Sequence, residues 1–203
     1  MVKIDGDSRL EIKLNYRNET MLKIADNPPV LHPAFEDIKD IQGQWWVART
    51  KSRHEKVLAQ AFLKWDIPYF LPLVEKVSKN KGRIQKSLLP LFGGYLFFCG
   101  DEEMHYRAMT TNRIAQNIRV LDQGGFVEDL VNIKLAIASG VPIEAYPELA
   151  SGKKCRVIAG ALMGIEGVVL QRKNVTKMII QIDMLGQAAS VEVDLALLEP
   201  VDD

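Results

Sequence analysis

The run Leu89-Pro90-Leu91-Phe92-Gly93-Gly94-Tyr95-Leu96-Phe97-Phe98 constrains this chain more than any other stretch. Its apolar residues call for a strand, while Pro90 and Gly93-Gly94 force a turn or bulge at the strand's start. Alternation along a strand places Tyr95 and Phe97 together on one face. A strand with aromatics on both faces is either buried on both sides or buries one face and offers the other to a partner. The segment by itself leaves both open.

Charge distribution narrows the choice. The formal net charge is zero, yet residues 45–100 carry ten Lys/Arg against three acids (Glu55, Asp66, Glu75), while residues 1–44 carry six against eight. A concentrated basic face attracts polyanions even on a neutral protein. Lys76, Lys79, Lys81, Arg83 and Lys86 decorate one predicted hairpin, and Arg49, Lys51, Arg53 and Lys56 surround the start of a predicted helix. Such cations suit phosphates without reading sequence, or a plain solvated surface.

Other classes find little support. Cys99 and Cys155 lie far apart in apolar, strand-like runs, which fits reduced, buried thiols. The N-terminus has no apolar h-region, and the longest uncharged run, Ser87 to Gly100, is too short for a membrane span. A cytoplasmic protein with no membrane association is expected. There is no HExxH, no phosphate-binding loop, no GxGxxG after a strand and no nucleophile elbow. His32, His54 and His105 show no ligand spacing with the cysteines, so neither an enzyme nor a metal or cofactor site is expected.

Periodicity orders the rest. Residues 1–44, with Asn27-Pro28-Pro29 and His32-Pro33, are a leader, partly disordered or lying along the domain surface. Trp45 to Thr50 is a strand. A helix follows, opened by a Ser52–Glu55 capping box and faced by Val57, Leu58, Ala61, Phe62 and Trp65. Residues 67–77 are extended, Asn80-Lys81-Gly82 turns a hairpin, and the strand through Phe97 returns. Asp101 caps a second helix, residues 114–121 form a strand, and residues 126–138 form a helix ended by Gly140 and Pro142. The order βαββαβα, over 45–140, is that of a ferredoxin-like α+β sandwich. Residues 141–151 have linker composition, and 152–203 hold short strands and glycine turns of a small all-β, SH3-like barrel.

Two motifs in this order carry a family resemblance. Trp45-Trp46-Val47-x-Arg49-Thr50-Lys51-x-Arg53-His54-Glu55-Lys56 with Pro90-Leu91-Phe92-x-x-Tyr95-Leu96-Phe97 resembles the N-terminal (NGN) domain of NusG-type transcription elongation factors. Gly152-x-x-Cys155-Arg156-Val157-Ile158-x-Gly160-x-Leu162-x-Gly164-x-Glu166-Gly167 resembles the KOW motif of their C-terminal barrel. The wording is most similar to the specialised, RfaH-like antiterminators of polysaccharide operons. The family usually has Pro at Gly93 and Gly-Pro at Gly160-Ala161; both departures keep turn-compatible residues.

The resemblance implies a monomeric, non-enzymatic bacterial elongation and antitermination factor. Tyr95, Phe97, Ile118 and Leu121 would meet the clamp of the RNA polymerase largest subunit. Arg49, Lys51, Arg53, Lys56, Lys79, Lys81 and Arg83 would lie near upstream or non-template DNA. His105 matches a further polymerase-contacting position. In the barrel, Leu162 would meet a ribosomal protein or a termination factor, and Gly160, Gly164 and Gly167 would hold turns. Dense β-branched residues favour a barrel over a helical hairpin, with flexibly joined domains and an open aromatic face. The alternative is a translation-linked RNA-binding KOW protein, although the RNP1 signature is absent.

Overall fold

The computed structural model describes residues 26–34, 37–80, 83–147, 150–172 and 175–201. The chain divides into two compact units, residues 1–27 with 75–88, and residues 28–74 with 89–203. Most of the leader and the hairpin tip at Lys81-Gly82 lie outside the described residues.

Residues 75–80 and 83–88 of the first unit belong to a two-stranded sheet of β4 (Leu73–Asn80) and β5 (Arg83–Pro90). The side chains of residues 75–79 and 83–86 face water, with Val77 and Ile84 exposed and Lys86 paired to Glu75 at 2.8 Å. Exposed pairs of this kind contribute little stability.

In the second unit, β1 (Leu31–His32), β2 (Gln44–Thr50), β3 (Tyr69–Phe70), β6 (Tyr95–Gly100) and β7 (Ile114–Arg119) form an antiparallel sheet in the order β1-β3-β6-β2-β7. Register sets the faces. Leu31, Phe70, Phe97, Val47 and Ile118 are directly cross-paired in one row, so they share a face. The neighbouring row, Tyr69, Phe98 and Trp46, points to the other side.

That other side is covered by α1 (Glu55–Lys64) and α2 (Glu102–Thr110). Phe62 of α1 packs on Phe98 at 5.3 Å and on Tyr69 at 6.3 Å. Asp101 caps α2 as its sequence position predicts, accepting from the Met104 amide at 2.8 Å. The Ser52–Glu55 capping box does not form. Helix α1 starts after His54 without a side-chain cap, because the Glu55 carboxylate is buried and accepts from the Gly94 amide at 2.6 Å instead. A buried carboxylate needs a donor, and the Gly93-Gly94 turn supplies it.

The first face is covered by α3 (Gln123–Ala138), whose Phe126, Leu130, Ile133 and Ala136 form a buried stripe. Phe126 meets Phe97 edge-on at 5.6 Å. The Gln123 amide bonds both the N–H and the C=O of Trp45, fixing α3 to β2. Ile38 and Ile41 add to this core and Leu31 pairs with Phe70, so the ordered domain starts upstream of Trp45.

The segment expected to be a linker holds β8 (Ile143–Tyr146). It pairs with β12 (Gln187–Glu192) at the end of a six-stranded antiparallel sheet. The order is β13-β9-β10-β11-β12-β8, with β9 (Lys154–Val157), β10 (Glu166–Arg172), β11 (Val175–Ile182) and β13 (Leu198–Pro200). Prolines at 142 and 147 gave this stretch its linker composition, but they flank the four pairing residues. Nor are the two sheets merely tethered. Their buried residues belong to one hydrophobic cluster, and the Asn132 side chain on α3 accepts from the Glu166 amide of β10 at 3.0 Å.

Candidate functional site

Of the four expected clamp-contact residues, only Leu121 is fully open, at 87 % exposure. Tyr95 and Ile118 are half-buried against the core cluster. Phe97 is wholly buried, with its ring against Phe70, Phe92 and Phe126. The expectation of an open aromatic face is therefore corrected at Phe97, which α3 covers. It supports the surface from beneath.

Four of the expected nucleic-acid-facing cations lie together on the stretch 49–56 of the second unit. Arg49, Lys51 and Arg53 are exposed, and Lys56 is half-buried. Burial lowers the Lys56 pKa, with the neighbouring Glu55 charge acting the other way. Arg53 adopts a left-handed backbone (φ 61°), as does Asn112 (φ 55°), so two tight turns meet here. The Lys51 amide donates to the Arg113 carbonyl at 2.8 Å, and Lys51 Nζ donates to Asn112 Oδ1 at 2.9 Å. Arg113 is a fifth cation in this group, its guanidinium 3.5 Å from His54 Nδ1. Its position directly before a predicted strand gave no hint of this. Lys79 and Arg83 are exposed on the β4–β5 hairpin, and Lys81 lies outside the described residues.

His105 is not a free surface residue. Its ring stacks on Trp46 at 4.8 Å and lies 2.7 Å from the Asn117 amide nitrogen.

In the second sheet, Leu162 is buried at 6 % exposure rather than displayed, because it packs into the common core. Gly160 and Gly164 do hold turns, with φ of 83° and 88°. Gly167 does not. It lies within β10, and a Cβ there would come within 2.6 Å of the Ile179 carbonyl oxygen, so close strand approach requires the glycine.

A cleft of about 820 Å³, which the sequence did not reveal, opens between α3 and the second sheet. Ile118, Leu121 and Met184 supply apolar lining, and Asp122, Glu128, Asp129, Glu166 and Asp183 outnumber Arg119 and Lys154. Glu166 is held below the usual carboxylate range, first by the hydrogen bond from Arg156 and then by Lys154. Asp129 goes the other way. Burial first, and then the charges of Asp183 and Glu128, push it up to about 7 against the Asp183 amide and Lys154.

Among the described residues there is no cluster of three or more His, Cys, Asp or Glu able to hold a metal, and no helix long and apolar enough to cross a membrane. Burial pushes the Cys99 thiol up to about 12, so it stays neutral and inert.

Comparison with known proteins bears on the first sheet. No curated protein matches the chain significantly. Among solved structures, the crystal structure of the MjSpt4:Spt5 complex in conformation B aligns with 78% of this chain and 97% of its own, at 11% identity. Its TM-score of 0.27 is too low to carry an argument. The family model described as NusG, transcription termination factor nusG, matches residues 43–128, from the start of β2 into α3. The segment that builds the Tyr95 surface and the basic turn is thus similar to a NusG-family domain.

Proposed function

We propose that this protein is a NusG-like transcription elongation and antitermination factor of bacterial type, acting without catalysis. The observation that carries this reading is the family match over 43–128, the segment that presents both Tyr95 and the basic turn. Residues 45–140 would be the NGN domain. The strand order β3-β6-β2-β7 around α1 and α2 supports a ferredoxin-like sandwich. Residues 152–203, with β8 added at one edge, would be the KOW barrel and would recruit a ribosomal protein or termination factor. Tyr95, Ile118 and Leu121, backed by Phe97, would meet the polymerase clamp. Arg49, Lys51, Arg53 and Lys56, with Arg113, would hold DNA phosphates near the upstream edge, and so help suppress pausing.

The test is an elongation assay with purified bacterial RNA polymerase and direct measurement of binding. The wild type should shorten pauses. Tyr95→Ala should weaken binding by about 2 kcal/mol, roughly thirtyfold, with the fold intact. Unchanged pausing and no polymerase binding would overturn the proposal.

A further inference from the structure

The two ends of the six-stranded sheet are built differently. At one end, β13 is three residues long and carries Glu199 and Pro200, which discourage further pairing. At the other end, β12 would be the edge strand if β8 were absent. Its residues Ala188 to Val191 include no charge and no proline, and all four are buried. A strand without such safeguards is suited to an inner position and needs a cover.

Strand β8 supplies the cover through four register pairs: Ile143 with Val191, Glu144 with Ser190, Ala145 with Ala189, and Tyr146 with Ala188. Its side chains add little. Ala189 and Val191 belong to the core cluster, so Ile143 and Ala145 lie on the core side of the sheet. Ile143 packs half-buried against that core, but Ala145 is exposed. On the other side Glu144 is exposed and Tyr146 half-buried. Pro142 and Pro147 lie just outside the strand and offer no amide donors to lengthen the ladder. By contrast, β11 grips β12 over six register pairs, with Met178, Ile179, Ile180 and Ile182 all buried. The Ala145–Ala189 pair leaves the core margin thinly covered. A strand with a larger apolar residue in that register would bury more apolar surface.

We propose that the edge of β12, from Ala188 to Val191, is an acceptor for an extended segment of a partner protein, and that β8 is its displaceable internal occupant. The incoming strand pairs its backbone with β12 in the register of β8 and sets bulky apolar residues opposite Val191 and Ala189. Its arrival returns residues 141–147 to the linker role that their composition predicts. The site lies on the proposed KOW barrel, but it rests on the pairing of β8 with β12 and not on the transcription reading.

The test uses the full-length chain and a labelled synthetic peptide of residues 141–147 carrying Ala145→Val. Binding is followed by fluorescence anisotropy and by the amide shifts of Ala188 to Val191. Ile143→Ala removes the core anchor of β8, and this variant should bind the peptide at least tenfold more tightly than the wild type. The peptide with Ala145 unchanged should bind more weakly. The double variant Glu144→Cys with Ser190→Cys joins two directly paired positions, close enough for a disulfide. Oxidised, it should exclude the peptide; reduced, it should bind at the wild-type level. Equal binding to the two redox forms, no binding to the reduced form at millimolar peptide, or unmoved shifts at Ala188 to Val191 would overturn the proposal. So would dimerisation of Ile143→Ala that excludes the peptide, since a second copy would then be the occupant. Polymerase plays no part in these measurements, so failure of the transcription reading leaves them intact.

Discussion

The basic turn and the acidic cleft lie on the same neutral chain, yet their charges act by different physics. Arg49, Lys51 and Arg53 stand in water on tight turns. Their field reaches outward, is screened by salt and concerns distant phosphates. Asp129 stands half-buried beside two other carboxylates. Its charge is opposed locally, by burial and like-sign neighbours, and concerns the fold itself. Counting charges gives zero for the whole chain; where each sits relative to water decides whether it serves recognition or stability.

Four variants can break or sharpen this contrast. Phe97→Ala removes the ring on which Phe126 rests, and with it the packing behind the cleft. It should destabilise the protein by about 3–5 kcal/mol in urea unfolding. A loss under about 1 kcal/mol would mean that α3 does not depend on this contact. Glu55→Ala leaves the Gly94 amide without its acceptor beneath the basic turn. A loss of about 2 kcal/mol is expected by thermal or chemical denaturation. Should stability stay level, the turn is held by its backbone alone.

Asp129→Asn should raise stability at pH 8 by about 1–2 kcal/mol and change it little at pH 4, because the ionised form is what the fold disfavours. Equal effects at both pH values would remove the electrostatic account of the cleft. The smallest effect on stability belongs to the cations. Changing Arg49, Lys51 and Arg53 together to Gln should leave unfolding within about 0.5 kcal/mol. The same triple variant should lower the salt slope of DNA binding by about 3, since each lost phosphate contact releases one fewer counterion. An unaltered slope would place these residues away from nucleic acid.

Much of the fold was legible because local signals agreed with tertiary demands. Asp101 precedes two acids and caps α2 as its position predicts. The Trp45–Thr50 and Ile114–Arg119 strands and the apolar stripe of α3 follow directly from periodicity. Misjudged residues are those whose partners are remote in sequence. Glu55 left the capping box for Gly94, 39 positions away. Phe97 and Leu162 were expected to be exposed, and both are covered by packing that no local pattern encodes. Arg113 and Asp129 join their clusters only through turns and faces that tertiary contact creates.

Strand β8 has a kinetic consequence. If the junction between α3 and the second sheet opens while β8 stays paired with β12, residues 139–142 are the whole leash. Four residues reach about 14 Å at full extension. The parted surfaces would then face each other at millimolar or higher effective concentration, so an outside partner must compete with rapid intramolecular recapture. Wider separation would require β8 to peel from the sheet edge.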